Sequence, residues 1–215
     1  MKVICFDLDD TLHKEVEYLK AAYRLIAQEA AGEAWQPFFE QMLAWWKAGD
    51  DVMAKVSLLA PRLQKAALLE MYRYGVHQLT LDAEVETVLT TLQSRGVALG
   101  LITDGRTRTQ RTKIAALGLE RYFPEEMIVI SEAFGSEKPS AANYEHFMRL
   151  FPECHDFTYV GDNPKKDFIA PNALRWTTVC LRDNGENIHP QNFEATPTHA
   201  LPQKRISALN ELLLL

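Results

Sequence analysis

The chain has 215 residues, 47% of them hydrophobic, and a formal net charge of -6 with acidic and basic residues interspersed. That length and apolar content support a full core for one domain plus a sizeable insertion, and exclude a disordered or fibrous chain. The charge pattern offers neither a basic stripe for a nucleic-acid scaffold nor a polybasic membrane anchor, and no apolar run reaches membrane-spanning length.

Lys2 leads directly into an apolar run, which leaves no room for a signal peptide, so the expected compartment is the cytoplasm. Cys5, Cys154 and Cys180 form no spaced pair, and Cys5 and Cys180 sit in apolar runs where a thiol behaves as a small hydrophobe; no disulfide framework is expected. Monomer and dimer are equally compatible with the sequence.

The first predicted element is a strand over Val3-Ile4-Cys5-Phe6, followed at once by Asp7-Leu8-Asp9-Asp10-Thr11-Leu12. Side chains at i and i+2 of a strand point the same way, so Asp7 and Asp9 converge as the strand opens into a loop. Asp10, alternating with Asp9, is expected to face away. Two carboxylates this close repel each other unless a cation lies between them or one is protonated, and either outcome yields a nucleophile or an acid/base. An Asp-rich turn capping a helix at Thr11 is the plainer alternative.

From 14 to 79 the sequence is helical in period. A helix over 14–31 carries a main apolar face (Val16, Leu19, Tyr23, Ile26, Ala27, Ala30) and a second strip (Tyr18, Ala22, Leu25). Trp35, Phe38, Phe39, Met42 and Trp46 recur at helical spacing and form the core stripe of another helix, with Trp45 at its margin. Pro61 opens a further helix to about 75. From about 82 the texture changes. Helices over 83–94, 107–117, 140–150 and 164–174 alternate with strands over 97–102, 127–130, 157–160 and 177–181, and the strands read as continuous apolar runs. Such alternation predicts an α/β fold, a Rossmann-like parallel sheet covered by helices on both faces. Residues 1–13 and 80–215 would build it, with 14–79 as an inserted helical domain. Residues 182–203, with three prolines, read as irregular surface chain before a short final helix.

In open parallel sheets the ligand crevice lies beyond the carboxyl ends of the strands. There the sequence places Asp7 and Asp9, then Thr103-Asp104-Gly105, then Lys138 in the loop over 135–139, then Gly161-Asp162-Asn163 with Asp167 one turn further on. Asp7, Asp9 and Asp162 around one point make an all-oxygen site suited to Mg²⁺. With the cation neutralising a phosphate, a carboxylate can attack phosphorus while a second carboxyl protonates the leaving oxygen. Thr103, Lys138 and the backbone amides near Gly105 at a helix start would hold the phosphoryl oxygens. Thr11 would fix the turn by a local hydrogen bond, and Asn163-Pro164 would cap a helix.

On these residues the chain resembles the haloacid dehalogenase superfamily of phosphohydrolases, in the subgroup with a helical cap inserted after the first motif. Asp7-Leu8-Asp9-Asp10-Thr11, Thr103, Lys138, and Gly161-Asp162 with Asp167 match its four motifs in order, spanning the chain from Val3 to about Leu181. The resemblance implies that Asp7 is the nucleophile forming an aspartyl-phosphate and that Asp9 is the acid/base. It also implies that the Asp7 side chain, the Asp9 carbonyl and the Asp162 side chain bind Mg²⁺, and that Asp167 acts through water or orients Lys138. Dehalogenases of the group lack the carboxylate matching Asp9, so phosphoryl transfer is favoured. Asp104 stands where many relatives carry Asn, a negative charge for Arg106 or the metal to offset, and Arg175 stands where relatives often have Gly. The expected activity is Mg²⁺-dependent hydrolysis of a small phosphorylated metabolite; a sugar phosphomutase or a catalytically silent binding protein are the alternatives. Tyr18, Arg24, Trp45 and Lys47 are candidate specificity residues, and His13 is expected at the surface.

Overall fold

The structure is a computed structural model that describes residues 1–75 and 78–215. Two compact units divide the chain: Met1–Glu15 joined to Thr80–Leu215, and Val16–Leu79. The first unit is built on six strands, β1 (Lys2–Phe6), β2 (Ala98–Thr103), β3 (Ile128–Ile130), β4 (Asp156–Gly161), β5 (Thr177–Leu181) and β6 (Lys204–Ile206). They form one sheet in the order β3-β2-β1-β4-β5-β6, and every neighbouring pair is parallel. This is the Rossmann-like α/β sheet that the alternation of elements predicts. β1, at the centre, is apolar on both faces: Val3, Cys5 and Phe6 are fully buried. Cys5, Cys154 and Cys180 are free and buried, packed as small hydrophobes.

Nine α-helices lie among the described residues. In the helical unit and its entry these are α1 (Glu15–Ala31), α2 (Trp35–Lys47), α3 (Val52–Leu59) and α4 (Lys65–Tyr74). In the sheet unit they are α5 (Ala83–Ser94), α6 (Thr107–Ala116), the single turn α7 (Ser131–Phe134), α8 (Ala142–Leu150) and α9 (Ile169–Ala173). Asp82 caps α5 through its side chain, and α6 ends at Gly118, whose φ of 63° supplies the left-handed stop. None of these helices is long and apolar enough to cross a membrane.

Some elements differ from expectation. The helix expected from Pro61 begins at Lys65, and α3, whose N-cap Asp51 accepts from the Ala54 amide, is too short to stand out by periodicity. After Asn163 the chain makes turns before α9 begins at Ile169, and β6 follows directly on the 182–203 segment, where only a short final helix is expected. Arg175 sits at φ 62°, a left-handed conformation that glycine adopts without strain.

Inside the helical unit Met42 of the aromatic stripe is fully buried, while Trp35, Phe38, Phe39 and Trp46 are half-buried. Trp45 meets Phe38 edge-on at 6.1 Å and carries the Lys55 ammonium 5.4 Å from its ring, while the Arg24 guanidinium lies 5.8 Å from the Phe39 ring. The Tyr18 hydroxyl donates to the carbonyls of Tyr72 and Arg73 at 2.9 and 3.0 Å. Of the four candidate specificity residues, these three have packing partners within their own unit, and Lys47 is exposed.

Candidate active site

Because β1 lies between β2 and β4, its carboxyl end opens between theirs. The Asp7 amide donates to the Val160 carbonyl at 2.9 Å, extending the ladder one residue beyond β1 and fixing Asp7 at the sheet edge. The chain then turns sharply: the Leu8 carbonyl accepts from Leu12 and His13 at 2.9 and 3.1 Å, and Asp10 adopts φ 57°. The result is a pocket of about 160 Å³ whose walls include Asp7, Asp9, Thr103, Asp104 and Asp162.

Lys138 is the hub of this site. Its ammonium, wholly buried, lies 2.9 Å from Asp7 Oδ1, 2.8 Å from Asp167 Oδ1 and 3.1 Å from the Tyr159 hydroxyl. Burial alone would pull its pKa down, but the Asp167 and Asp7 carboxylates hold it well above the usual lysine value. Asp167 spends its other oxygen on the amides of Asp162 and Asn163, at 3.1 and 2.8 Å. The approach is close enough that a Cβ on residue 161 would stand 2.5 Å from Asp167 Oδ2, so Gly161 is required there. With both oxygens engaged, Asp167 orients Lys138 and the loop after β4.

Ligand oxygens of Asp7, Asp162 and Asp167 all lie within 4.8 Å of one another and all three residues are buried. Since Asp167 is committed, Asp7 and Asp162 are the pair that can share a cation: each keeps one carboxylate oxygen with no hydrogen-bond partner among the described residues. Burial first, and Asp167 and Asp7 next, push the Asp162 pKa up to about 9; burial likewise pushes Asp7 up to about 7 against the pull of Lys138. Two hard anionic oxygens destabilised in this way fit Mg²⁺, whose charge would favour their ionised forms.

Asp9 is held by α6. Its Oδ1 pairs with the Lys113 ammonium at 2.7 Å and its Oδ2 accepts from the Gln110 amide at 3.0 Å, while the same amide nitrogen donates to Thr103 Oγ1 at 2.6 Å. Burial raises the Asp9 pKa, but the Lys113 charge and these hydrogen bonds outweigh it and leave Asp9 below its ordinary value. Gln110 and Lys113 escape sequence reasoning because α6 carries little apolar periodicity to mark which side is inward. Glu15 also lines the pocket, with a pKa pushed up to about 7 by burial and by Asp9.

Several expected contacts are replaced by others. Asp104, expected among the phosphate-binding residues, lines the pocket, but its carboxylate pairs with Lys166 at 2.9 Å and accepts from the Lys138 amide at 3.0 Å, so Lys166, and not Arg106, offsets its charge. The Gly105 amide, expected to bind phosphate, donates to Ser131 Oγ at 2.9 Å, and the Thr107 amide donates to Glu132 Oε2 at 2.7 Å, because α7 folds back onto the start of α6. Thr11 is buried, but its hydroxyl finds no hydrogen-bond partner among the described residues; the turn is held by the backbone bonds to Leu8 instead. Asp10 does not face away. It lines the pocket and accepts from the amides of Glu15 and Ile188 at 3.0 and 3.1 Å. His13 is half-buried, and Asn163, expected to cap a helix, instead accepts from the Lys165 amide in a turn, because α9 begins only at Ile169.

A Rossmann-like parallel sheet with buried carboxylates and a buried lysine gathered at its carboxyl edge places the chain in the α/β class whose sites lie beyond the strand ends. The sequence profile of the haloacid dehalogenase-like hydrolases matches residues 1–174, and the chain belongs to that family. It is 28% identical over 193 residues to the glyceraldehyde 3-phosphate phosphatase of Methanocaldococcus jannaschii, covering 83% of this chain and 84% of that protein. To the phosphoserine phosphatase of Thermus thermophilus it is 29% identical over 188 residues, covering 86% and 70%. Among solved structures, the HAD-hydrolase YfnB of Bacillus subtilis, determined bound to magnesium, matches with a TM-score of 0.69 at 20% identity over 99% of this chain and 97% of that one.

Proposed function

We propose that the chain is a Mg²⁺-dependent phosphatase that hydrolyses a small phosphorylated metabolite through a phosphorylated Asp7. The observation that carries this reading is the lysine-clamped Asp7 at the end of β1, facing Asp162 across a gap that suits one hard cation. Asp7, the Asp9 carbonyl and Asp162 would hold Mg²⁺, which when bound offsets the negative charge of the phosphate. The inserted helical unit takes the role of the family's cap.

Lys138 fixes Asp7 Oδ1, so the nucleophile enters the reaction already oriented. Thr103 Oγ1 accepts from Gln110, which leaves its own hydroxyl hydrogen to donate to a phosphoryl oxygen. An Asp7 oxygen attacks phosphorus and the bond to the leaving oxygen breaks, while Asp9, a carboxylate at rest, relays the proton of the phosphate monoanion to the leaving alcohol. Water then attacks the aspartyl-phosphate. Asp9, which Lys113 and Gln110 stabilise as a carboxylate, takes the proton from that water; inorganic phosphate departs and Asp7 is restored. Each cycle thus returns the proton it uses.

Asp7→Asn should abolish release of phosphate from p-nitrophenyl phosphate in Mg²⁺, and retained turnover would sink the mechanism. The physiological panel starts with three-carbon phosphate esters, since the relative in Methanocaldococcus jannaschii is a glyceraldehyde 3-phosphate phosphatase. Recovery of the phosphoryl group on a sugar, instead of as inorganic phosphate, would identify a mutase.

A further inference from the structure

Residues 183–191, between β5 and β6, form a built strap. Asp183 Oδ1 accepts from the amides of Gly185, Glu186 and Asn187 at 2.7, 3.1 and 3.0 Å, winding the segment around one carboxylate. Gln191 closes it: Oε1 accepts from the Asp183 amide at 3.1 Å, and Nε2 donates to the carbonyls of Asp162 and Leu181, both at 2.8 Å. The Ile188 amide ties the strap to Asp10 in the loop after β1. The same nine residues therefore touch the turns that carry Asp7 and Asp162.

At the middle of the strap, Asn187 Nδ2 donates to Asp162 Oδ2 at 2.9 Å. The orientation of this amide is settled by chemistry. Lys14 Nζ lies 2.6 Å from Asn187 Oδ1, and an ammonium can only donate, so the oxygen must face Lys14 and the NH₂ must face Asp162. Held through one oxygen, the Asp162 carboxylate cannot rotate freely.

We propose that Asn187 is a positioning residue for the metal ligand Asp162: by fixing Oδ2 it presents Oδ1 to the divalent cation, with Lys14 locking the amide in the competent orientation. This rests on the reading above that Mg²⁺ sits between Asp7 and Asp162. Hydrogen bonds to ligating carboxylates typically govern metal affinity by about 10- to 100-fold.

The test is calorimetric titration of MgCl₂ into the full chain freed of metal with EDTA, comparing wild type with Asn187→Ala and Asn187→Leu, alongside thermal melts in EDTA. The expected result is a Mg²⁺ Kd weakened about tenfold or more in both variants, with melting temperatures in EDTA unchanged. Lys14→Met, one step further from the ligand, should weaken Mg²⁺ binding by less. Wild-type Mg²⁺ affinity in both Asn187 variants would overturn the assignment. So would an affinity loss that follows a matching fall in metal-free stability, which would mark Asn187 as only a scaffold residue. Absence of Mg²⁺ binding by the wild-type chain would instead overturn the metal reading on which the proposal stands.

Discussion

Lys138→Met isolates the electrostatic core of the site. The wild-type ammonium, with no exposed side-chain surface, lies 2.8 and 2.9 Å from carboxylate oxygens of Asp167 and Asp7. Methionine keeps the volume but leaves buried carboxylates facing one another without their cation. Breaking a buried pair from one side destabilises by about 3–5 kcal/mol. At roughly 2–4 °C per kcal/mol for a domain of this size, the melting temperature in EDTA at pH 8 should fall by about 6–20 °C. The sign of the pH dependence follows from Asp7. Its folded pKa, pushed up to about 7 by burial against an ordinary 3.8, means that its ionisation works against the fold; stability is lost as pH rises through that value. Without Lys138 the shift grows, so the penalty of the substitution is largest where Asp7 is ionised and smaller at pH 5.5, where it holds a proton. Scanning calorimetry at the two pH values reads this directly, and adding Asp7→Asn to Lys138→Met should recover part of the loss at pH 8. A drop below 2 °C at pH 8, or a gap that widens at pH 5.5, would refute the reasoning.

Three further outcomes are expected. Asp162, raised to about 9 chiefly by burial, makes the metal-free fold lose stability as pH climbs from about 4 towards 9; melting temperature in EDTA should fall more steeply over that window for wild type than for Asp162→Asn, and equal slopes would contradict it. Lys113→Met removes the charge that keeps Asp9 below its ordinary value, so the acidic limb of the kcat–pH profile should move to higher pH, while an unmoved limb would show that Asp9 is not the titrating base. Arg175→Gly relieves an exposed residue from φ 62° and should stabilise by about 1 kcal/mol, read as a higher urea midpoint with unchanged turnover.

The sheet and the positions of Asp7, Thr103, Lys138 and Asp162 were legible because parallel strands write themselves as apolar runs and a general rule puts their chemistry at the carboxyl ends. Legibility stops where the backbone leaves regular structure. Strand alternation placed Asp10 away from the pocket, but a left-handed residue breaks the alternation at that position, and its carboxylate turns to the Glu15 and Ile188 amides. The Gly105 amide looked free at a helix start because nothing local reveals that Ser131, 26 residues on, folds back to take it. Gln110 and Lys113 sit on a helix rich in Thr, Arg and Lys, where polarity conceals burial, and Lys113 meets Asp9 across a separation of 104 residues. Asn187 lay in a segment whose prolines and polar residues spell loop; its order comes from Asp183 and Gln191, contacts that have no periodicity to read.

The distribution of charge supports placing the proposed cation beside Asp162. Asp9 has Lys113, Asp104 has Lys166, and Asp7 and Asp167 share Lys138. Among the described residues no lysine or arginine forms an ion pair with Asp162; its protein partner is a neutral amide, and its pKa is pushed further from the ordinary value than that of Asp7. An organic cation there would neutralise the carboxylate permanently and leave nothing for a phosphate dianion. A divalent ion shared with Asp7 would neutralise Asp162 and still present positive charge to the substrate, at the point where the nucleophile would otherwise repel it. Among the described residues Asp10 and Asp162 are the buried carboxylates without a lysine or arginine ion pair, and both Asp10 oxygens accept from backbone amides. Asp162 is thus the one whose unmet charge would recruit the proposed metal, with the amide of Asn187 holding it in place without competing for that charge.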